Sequence, residues 1–235
     1  MRWLPDRSVE SLADAIRTVA PELATEPITL PGRIMQSDPV WHASTAQIGD
    51  AYVAKLAWSG PAAKRIAHEI DVLRALAGWA YVPEVVAAGT DPLLLVTRRV
   101  EGSSLFRVID SIDRDRAGVQ LAQFLAALHE PATLRRIESA PKAGDGPGYP
   151  LAAAVLSERI RPFIRPGQHA TVGRWCDWAD AVLAEPRPDV LVHGDLHGDN
   201  ELWRRDRLLL VVDWETAGRA EAAYDLRAVL GTGPG

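Results

Sequence analysis

Residues 193–200 read His193-Gly194-Asp195-Leu196-His197-Gly198-Asp199-Asn200, and thirteen positions after Asn200 an apolar run, Leu208 to Val212, ends on Asp213-Trp214-Glu215. Five of the eight side chains at 193–200 can take a proton or ligate a metal. An apolar stretch precedes them (Leu191-Val192) and another follows the loop, so polar chemistry is held between two expected strands, where functional loops commonly sit. Phosphoryl transfer requires little covalent chemistry of a protein. It needs a carboxylate to orient the attacking hydroxyl and oxygen ligands to hold magnesium on the phosphates. Asp195, Asn200 and Asp213 supply that set, and magnesium, a hard cation, suits such oxygen donors.

Working outward, the first hundred residues alternate between strand and helix signals. Ser8 caps an expected helix to about Val19, with Leu12, Ala15 and Ile16 at helical spacing before Pro21. From Ile28 to Trp58 short apolar runs alternate with turn residues, which reads as a β-meander whose clearest strand is Ala51 to Ala57. Pro61 opens a helix carrying Ile66, Ile70, Leu73 and Leu76 on one face, with Gly78 as its stop. Strands are expected at 84–88 and 93–100. After Gly102 the pattern becomes helical, so a lobe boundary is expected near 100–102. Helices are expected at 116–129, 151–163 and 172–184, with a Pro/Gly-rich loop from Pro131 to Pro150.

Composition narrows the classes. The 235 residues carry a net charge of -5, which argues against a surface built for nucleic-acid phosphates and is compatible with a cationic small-molecule partner. A single cysteine, Cys176, rules out an internal disulfide and a cysteine metal cage. No apolar run reaches the ~18 residues needed to span a bilayer, and charges interrupt the N-terminal apolar stretches, so a cytoplasmic protein without membrane or nucleic-acid partners is expected. The oligomeric state is not legible.

These residues resemble the aminoglycoside phosphotransferase family, relatives of protein kinases that phosphorylate antibiotics and other small molecules. The family's catalytic loop reads like HGDLHxxN, matched at 193–200, and its metal-binding Asp sits in a motif like IDWE, matched by Val212-Asp213-Trp214-Glu215. The resemblance implies an α+β, two-lobed, protein-kinase-like fold, with a β-rich nucleotide-binding N-lobe at 1–101 and a mainly helical C-lobe at 102–235. It implies transfer of the γ-phosphoryl group of ATP or GTP, with Mg2+, to a hydroxyl of an antibiotic-like or amino-bearing compound. It makes Asp195 the catalytic base and Asn200 and Asp213 the magnesium ligands. Lys55 becomes the phosphate-contacting lysine, Glu69 its ion-pair partner, and Thr97, Arg98 and Val100 the adenine-pocket hinge. Asp225, in Tyr224-Asp225-Leu226, braces the loop, and His193 packs under it. His197 either approaches the transferred phosphate or hydrogen-bonds the loop. The phosphate-covering turn falls at Gln36-Ser37-Asp38-Pro39, which lacks the glycines of the protein-kinase loop, and Ser37 offers its N–H or hydroxyl there.

Two other classes fit parts of the sequence. Gly194-Asp195-Leu196-His197-Gly198 also fits GDxHG, the opening of a two-metal phosphoesterase signature, but the 37 residues after Gly198 contain no histidine with which to finish that site. A kinase-like nucleotide-binding module without turnover would have lost a catalytic residue, and none is missing. A lone Asp at a strand end is more often a turn residue than a catalyst; the ordered set of Lys55, Glu69, Asp195, Asn200 and Asp213 is what outweighs that reading. The eight tryptophans suggest core packing, and Asp177, Asp180 and Glu215 are possible grips for a substrate ammonium. Family members usually continue with further helices past the position of Gly235, so the acceptor site is expected to be incomplete or completed by another chain.

Overall fold

The computed structural model describes residues 1–32, 38–137, 153–183 and 188–229. Helix α1 (Val9–Val19) forms because Ser8 accepts a hydrogen bond from the Ser11 N–H, closing its first turn, while Leu12, Ala15 and Ile16 share one buried face. Strands β1 (Ile28–Thr29), β2 (Ala43–Ile48) and β3 (Tyr52–Ala57) follow, then helix α2 (Gly60–Ala75) and strands β4 (Val85–Thr90) and β5 (Leu93–Arg98). They make one antiparallel sheet in the order β1-β2-β3-β5-β4. The expected meander is therefore present. Helix α2 ends at Ala75, short of the expected stop; Gly78, with φ +82, turns the chain after it.

The period of two along β3 divides its residues between two environments. Ala54 and Leu56 enter an apolar cluster with α1 (Leu12, Ile16), Leu94 and Val96. On the other face α2 buries Ile66, Ile70 and Leu73 in a second cluster, which runs on through Phe124, Leu191, Trp203 and Trp214. That second cluster joins the sheet-and-helix half to the rest of the chain.

Beyond Gly102 come β6 (Ser103–Ser104), α3 (Leu105–Val108), α4 (Arg114–Leu128), α5 (Pro131–Leu134), α6 (Ala153–Ile160), α7 (His169–Leu183), β7 (Val190–Val192), β8 (Glu201–Arg204), β9 (Arg207–Val211), β10 (Gly218–Ala220) and α8 (Ala223–Val229). Strands β6, β8 and β9 form a small antiparallel sheet, and β7 pairs with β10. Helix α4 starts two residues earlier than its apolar stripe suggests because Asp113 caps it through the Arg116 N–H. The loop expected from Pro131 begins instead with the short helix α5, Pro being suited to a first helical turn; residues 138–150 lie outside the described residues.

The expectation that tryptophans pack internally holds for Trp203 and Trp214, both fully buried, and fails for Trp175 and Trp178. Those two lie three apart on one face of α7, which packs against α6, and are 70% and 69% exposed on a side that no described element covers. No helix among the described residues is long and apolar enough to cross a membrane.

Candidate functional site

The site is organised around Lys55. Its position in β3, next but one to Val53 and one residue from Ala54 and Leu56, points the side chain to the face covered by α2. Nζ donates to Glu69 Oε2 and to Asp213 Oδ1, each at 2.6 Å. Glu69 is the charged residue on the buried face of α2, and its second oxygen accepts the Trp214 N–H at 3.2 Å. Asp213 sits where β9 has just ended and the backbone adopts φ +69, a left-handed turn that Asp tolerates better than most side chains. The chain thereby turns sharply and presents the carboxylate to Lys55.

One ammonium thus serves several carboxylates in a poorly solvated space. Burial alone would lower the Lys55 ammonium, but Glu69, Asp213 and Glu215 together hold it above its ordinary value. Burial pushes the Glu69 carboxyl up, with Lys55 opposing. For Asp213 burial is outweighed by Lys55, which keeps the carboxyl below the usual range and ionised. Glu215 is pushed up to about 7 by burial and by neighbouring Asp213. It pairs with Arg65, whose guanidinium also lies 4.2 Å from the centroid of the Trp41 ring. Glu215 is therefore committed to Arg65 and is not the free grip for an acceptor ammonium expected from sequence; Asp177 and Asp180 are exposed on α7.

A cleft of about 390 Å3 opens between the five-stranded sheet and the β6-β8-β9 sheet. Lys55, Glu69, Asn200 and Asp213 line one end, and Thr97, Arg98 and Val100 line it with Val53, Leu95, Leu202, Leu210 and Val212. The Thr97 hydroxyl lies 3.5 Å from the Val53 carbonyl. The Arg98 side chain turns outward to Glu84 at 2.7 Å, so its backbone is what the cleft meets. Ser37 lies outside the described residues.

The loop after β7 is tied down from beneath. Buried Asp225 on α8 accepts the N–H of His193 at 3.1 Å and of Gly194 at 2.9 Å, and contacts His129 Nε2 at 3.0 Å. Gly194 has φ +86, and a Cβ there would lie 2.5 Å from the Thr216 carbonyl oxygen, so glycine is required twice over. His193 is fully buried, its Nε2 3.0 Å from the Val212 carbonyl and its ring edge-on to Trp214. Burial holds its imidazole below the ordinary value, with Asp225 opposing. Asp195 stands on the solvent side with its side chain 48% exposed. The Asn200 amide donates to the Asp195 carbonyl at 2.9 Å, leaving its oxygen free of that bond, and Asn200 and Asp213 share the cleft.

The structure therefore brings Lys55, Glu69, Asn200, Asp213 and the hinge residues into one chamber, with Asp195 and His197 on the adjoining loop. Sequence reading did not single out Arg65, His129, or the apolar floor of Leu202, Leu210 and Val212. Arg65 was findable, being one helical turn before Glu69 and so on its face. His129 was not, since 96 positions separate it from Asp225. Among the described residues, Glu69, Asp213 and Glu215 form a group whose ligand atoms all lie within 4.8 Å of one another; Asp195 and His197, the metal ligands of the GDxHG reading, are not in it.

Comparison with known proteins agrees with this geometry. The family model described as "Phosphotransferase enzyme family" matches residues 33–233. Viomycin phosphotransferase of Streptomyces vinaceus is 32% identical over 197 residues, covering 77% of this chain and 68% of the relative. The GDP complex of wild-type aminoglycoside 2'-phosphotransferase-IIIa superposes with a TM-score of 0.74 at 19% identity, covering 96% of this chain and 79% of that one. A choline/ethanolamine kinase family protein from Mesorhizobium loti superposes with a TM-score of 0.63 at 19% identity, over 93% and 69%. These likenesses establish the kinase-like α+β fold. Matched from residue 33 to residue 233, the chain belongs to the phosphotransferase enzyme family and is a small-molecule phosphotransferase.

Proposed function

We propose that this enzyme transfers the γ-phosphoryl group of ATP or GTP, as the magnesium complex, to a hydroxyl of an amino-bearing, antibiotic-like molecule. The observation that carries the proposal is Lys55 held between Glu69 and Asp213 at the end of a cleft whose other end is a strand-edge hinge. A nucleoside fits between the hinge backbone at 98–100 and the apolar floor, which sends its phosphates toward Lys55. Asp213, held ionised, and the amide oxygen of Asn200 offer the hard donors magnesium prefers. Magnesium held there would offset phosphate charge. Asp195 orients the acceptor hydroxyl and takes its proton as the acceptor oxygen forms its bond to the γ-phosphorus; the bond from that phosphorus to the β-phosphate oxygen breaks, and the nucleoside diphosphate leaves with the electron pair.

An amino-bearing acceptor is supported by the net charge of -5 and by the relatives, among them a viomycin phosphotransferase and an enzyme solved in complex with kanamycin. The domain division at 101/102 is proposed on the same footing, β6 being the first element that pairs with the β8-β9 sheet rather than with β5. Thermal unfolding with MgATP or MgGTP is the first test, because a ligand selective for the folded state at 100 times its Kd stabilises by about 2.7 kcal/mol. A nucleotide-consumption screen over viomycin, kanamycin, a macrolide, choline and neutral sugars is the second. No thermal shift with either nucleotide at millimolar concentration would overturn the donor assignment. Turnover restricted to neutral acceptors would overturn the cationic one.

A further inference from the structure

His197 has two ring nitrogens in different surroundings. Its Nδ1 lies 3.2 Å from the Asp199 main-chain nitrogen, which donates to it. A nitrogen accepting a hydrogen bond carries no proton, so the neutral ring bears its proton on Nε2. Nε2 lies 3.5 Å from Asp195 Oδ2. The Asn200 amide nitrogen is 3.3 Å from the same Nε2; one of its two hydrogens goes to the Asp195 carbonyl, and with Nδ1 accepting from Asp199 the second meets a protonated Nε2, a donor facing a donor, which makes no hydrogen bond. The carboxylate of Asp195 is therefore the acceptor within reach of the Nε2 proton.

The ring is also held in plane. Phe106 stacks on it, with centroids 6.2 Å apart and planes 14° from parallel. Phe106 comes this close because residue 198 is glycine: a Cβ there would lie 2.9 Å from the Phe106 ring. The peptide on either side is pinned, His197 N–H to the Asp195 carbonyl at 3.0 Å and Asn200 N–H to the His197 carbonyl at 2.8 Å. A tautomer set from one side, a stacked ring and a pinned backbone all direct one proton at one carboxylate.

Resting on the reading of Asp195 as the base, we infer that His197 is a positioning residue: its Nε2–H holds the half-exposed Asp195 carboxylate in the rotamer that meets the acceptor hydroxyl. The 3.5 Å separation is long for a hydrogen bond, and contacts of this kind commonly tighten only when substrates bind. This role differs from a contact with the transferred phosphate, in which Nε2 would face the nucleotide, and from simple bracing of the loop, which needs Nδ1 alone.

The three roles separate by substitution. Gln places an N–H near the position of Nε2 without the Nδ1 acceptor, whereas Asn keeps an acceptor near Nδ1 and lacks the distal donor. With MgATP and viomycin as probes, His197→Asn is expected to lower kcat by roughly 10- to 100-fold with the KM for ATP unchanged, the scale of a small misplacement of a reacting group. His197→Gln is expected to keep most of kcat. Rescue by Asn and not by Gln, or a loss appearing mainly in the KM for ATP, would overturn the inference. A readout independent of any acceptor is long-range 1H–15N NMR of the intact chain at a pH well above the ordinary imidazole value of about 6.5. The His197 ring is expected as the Nε2–H tautomer, with an Nε2 signal that moves in Asp195→Asn. An Nδ1–H tautomer, or an Nε2 signal indifferent to that substitution, would overturn it even where turnover is robust. Conversely, the expected tautomer in a chain that phosphorylates none of the screened acceptors would leave the inference standing and the proposed acceptor class in error.

Discussion

Lys55 Nζ and Asp213 Oδ1, 158 positions apart in the chain, stand 2.6 Å from each other. The contact joins a strand of the large sheet to the turn after β9, and Glu69 joins α2 to the same point. The groups proposed to bind nucleotide and to hold metal are thereby assembled before any ligand arrives. That arrangement reduces the ordering cost of binding, and it makes the site part of the folded structure's stability.

Lys55→Met leaves Glu69 and Asp213 facing each other without their cation. Removing one partner from a buried ion pair costs roughly 3–5 kcal/mol, and since the Lys55 side chain keeps 19% exposure, the low end of that range is expected. Urea unfolding measures it, and Lys55→Met/Glu69→Gln should recover part of the loss. A single variant as stable as the parent would show that the cluster is solvated enough to do without the ammonium.

Asp195→Asn keeps the shape of the side chain and removes the proton acceptor. Nucleotide affinity should hold while kcat falls on the order of 100- to 10,000-fold. Asp213→Asn instead weakens the carboxylate proposed to hold magnesium, so its rate loss should accompany weaker metal-nucleotide binding and recover in part with excess Mg2+ or Mn2+. Steady-state kinetics across a metal titration distinguish the two; identical metal dependence would refute the division of roles.

Asp225→Ala deprives the His193 and Gly194 N–H groups of their buried acceptor. A buried donor left unsatisfied costs about 1–3 kcal/mol, so for the two N–H groups a total loss of roughly 2–6 kcal/mol is expected. Activity should fall as well, since these two amides set the course of the loop that carries Asp195. Unfolding within about 0.5 kcal/mol of the parent, the range of ordinary surface changes, would mean that water replaces the carboxylate.

The pH dependence of stability follows from His193. Burial holds its folded imidazole below the 6.5 of an unperturbed histidine. As pH falls through about 6.5, the unfolded chain binds a proton that the folded chain refuses, so the group's contribution is full above that value and declines below it, levelling once the folded ring protonates. In His193→Gln that decline is absent. The stability difference between parent and variant should therefore narrow on acidification in thermal scans, and a constant difference from neutral pH downward would contradict the assignment.

Much of the fold was written locally. Ser8 caps α1 within its own turn, and β3 alternates between two faces. Such features depend on neighbours a few residues away, so spacing reveals them. Helix ends were less legible, because the stop of α2 depends on packing as well as on Gly78.

The sequence by itself determined the side chains available: the carboxylate proposed as base, two oxygen donors proposed to hold metal, a lysine on a strand and a glutamate on the following helix, in an order and spacing that admit few other uses. Tertiary structure alone decided how those groups are employed. It pairs Glu215 with Arg65, places His129 against Asp225, lays Leu202, Leu210 and Val212 along the cleft, and leaves Trp175 and Trp178 facing solvent. The reason is physical: charge pairing and desolvation depend on distances across the fold, and residues 96 or 150 positions apart carry no periodic signal of one another.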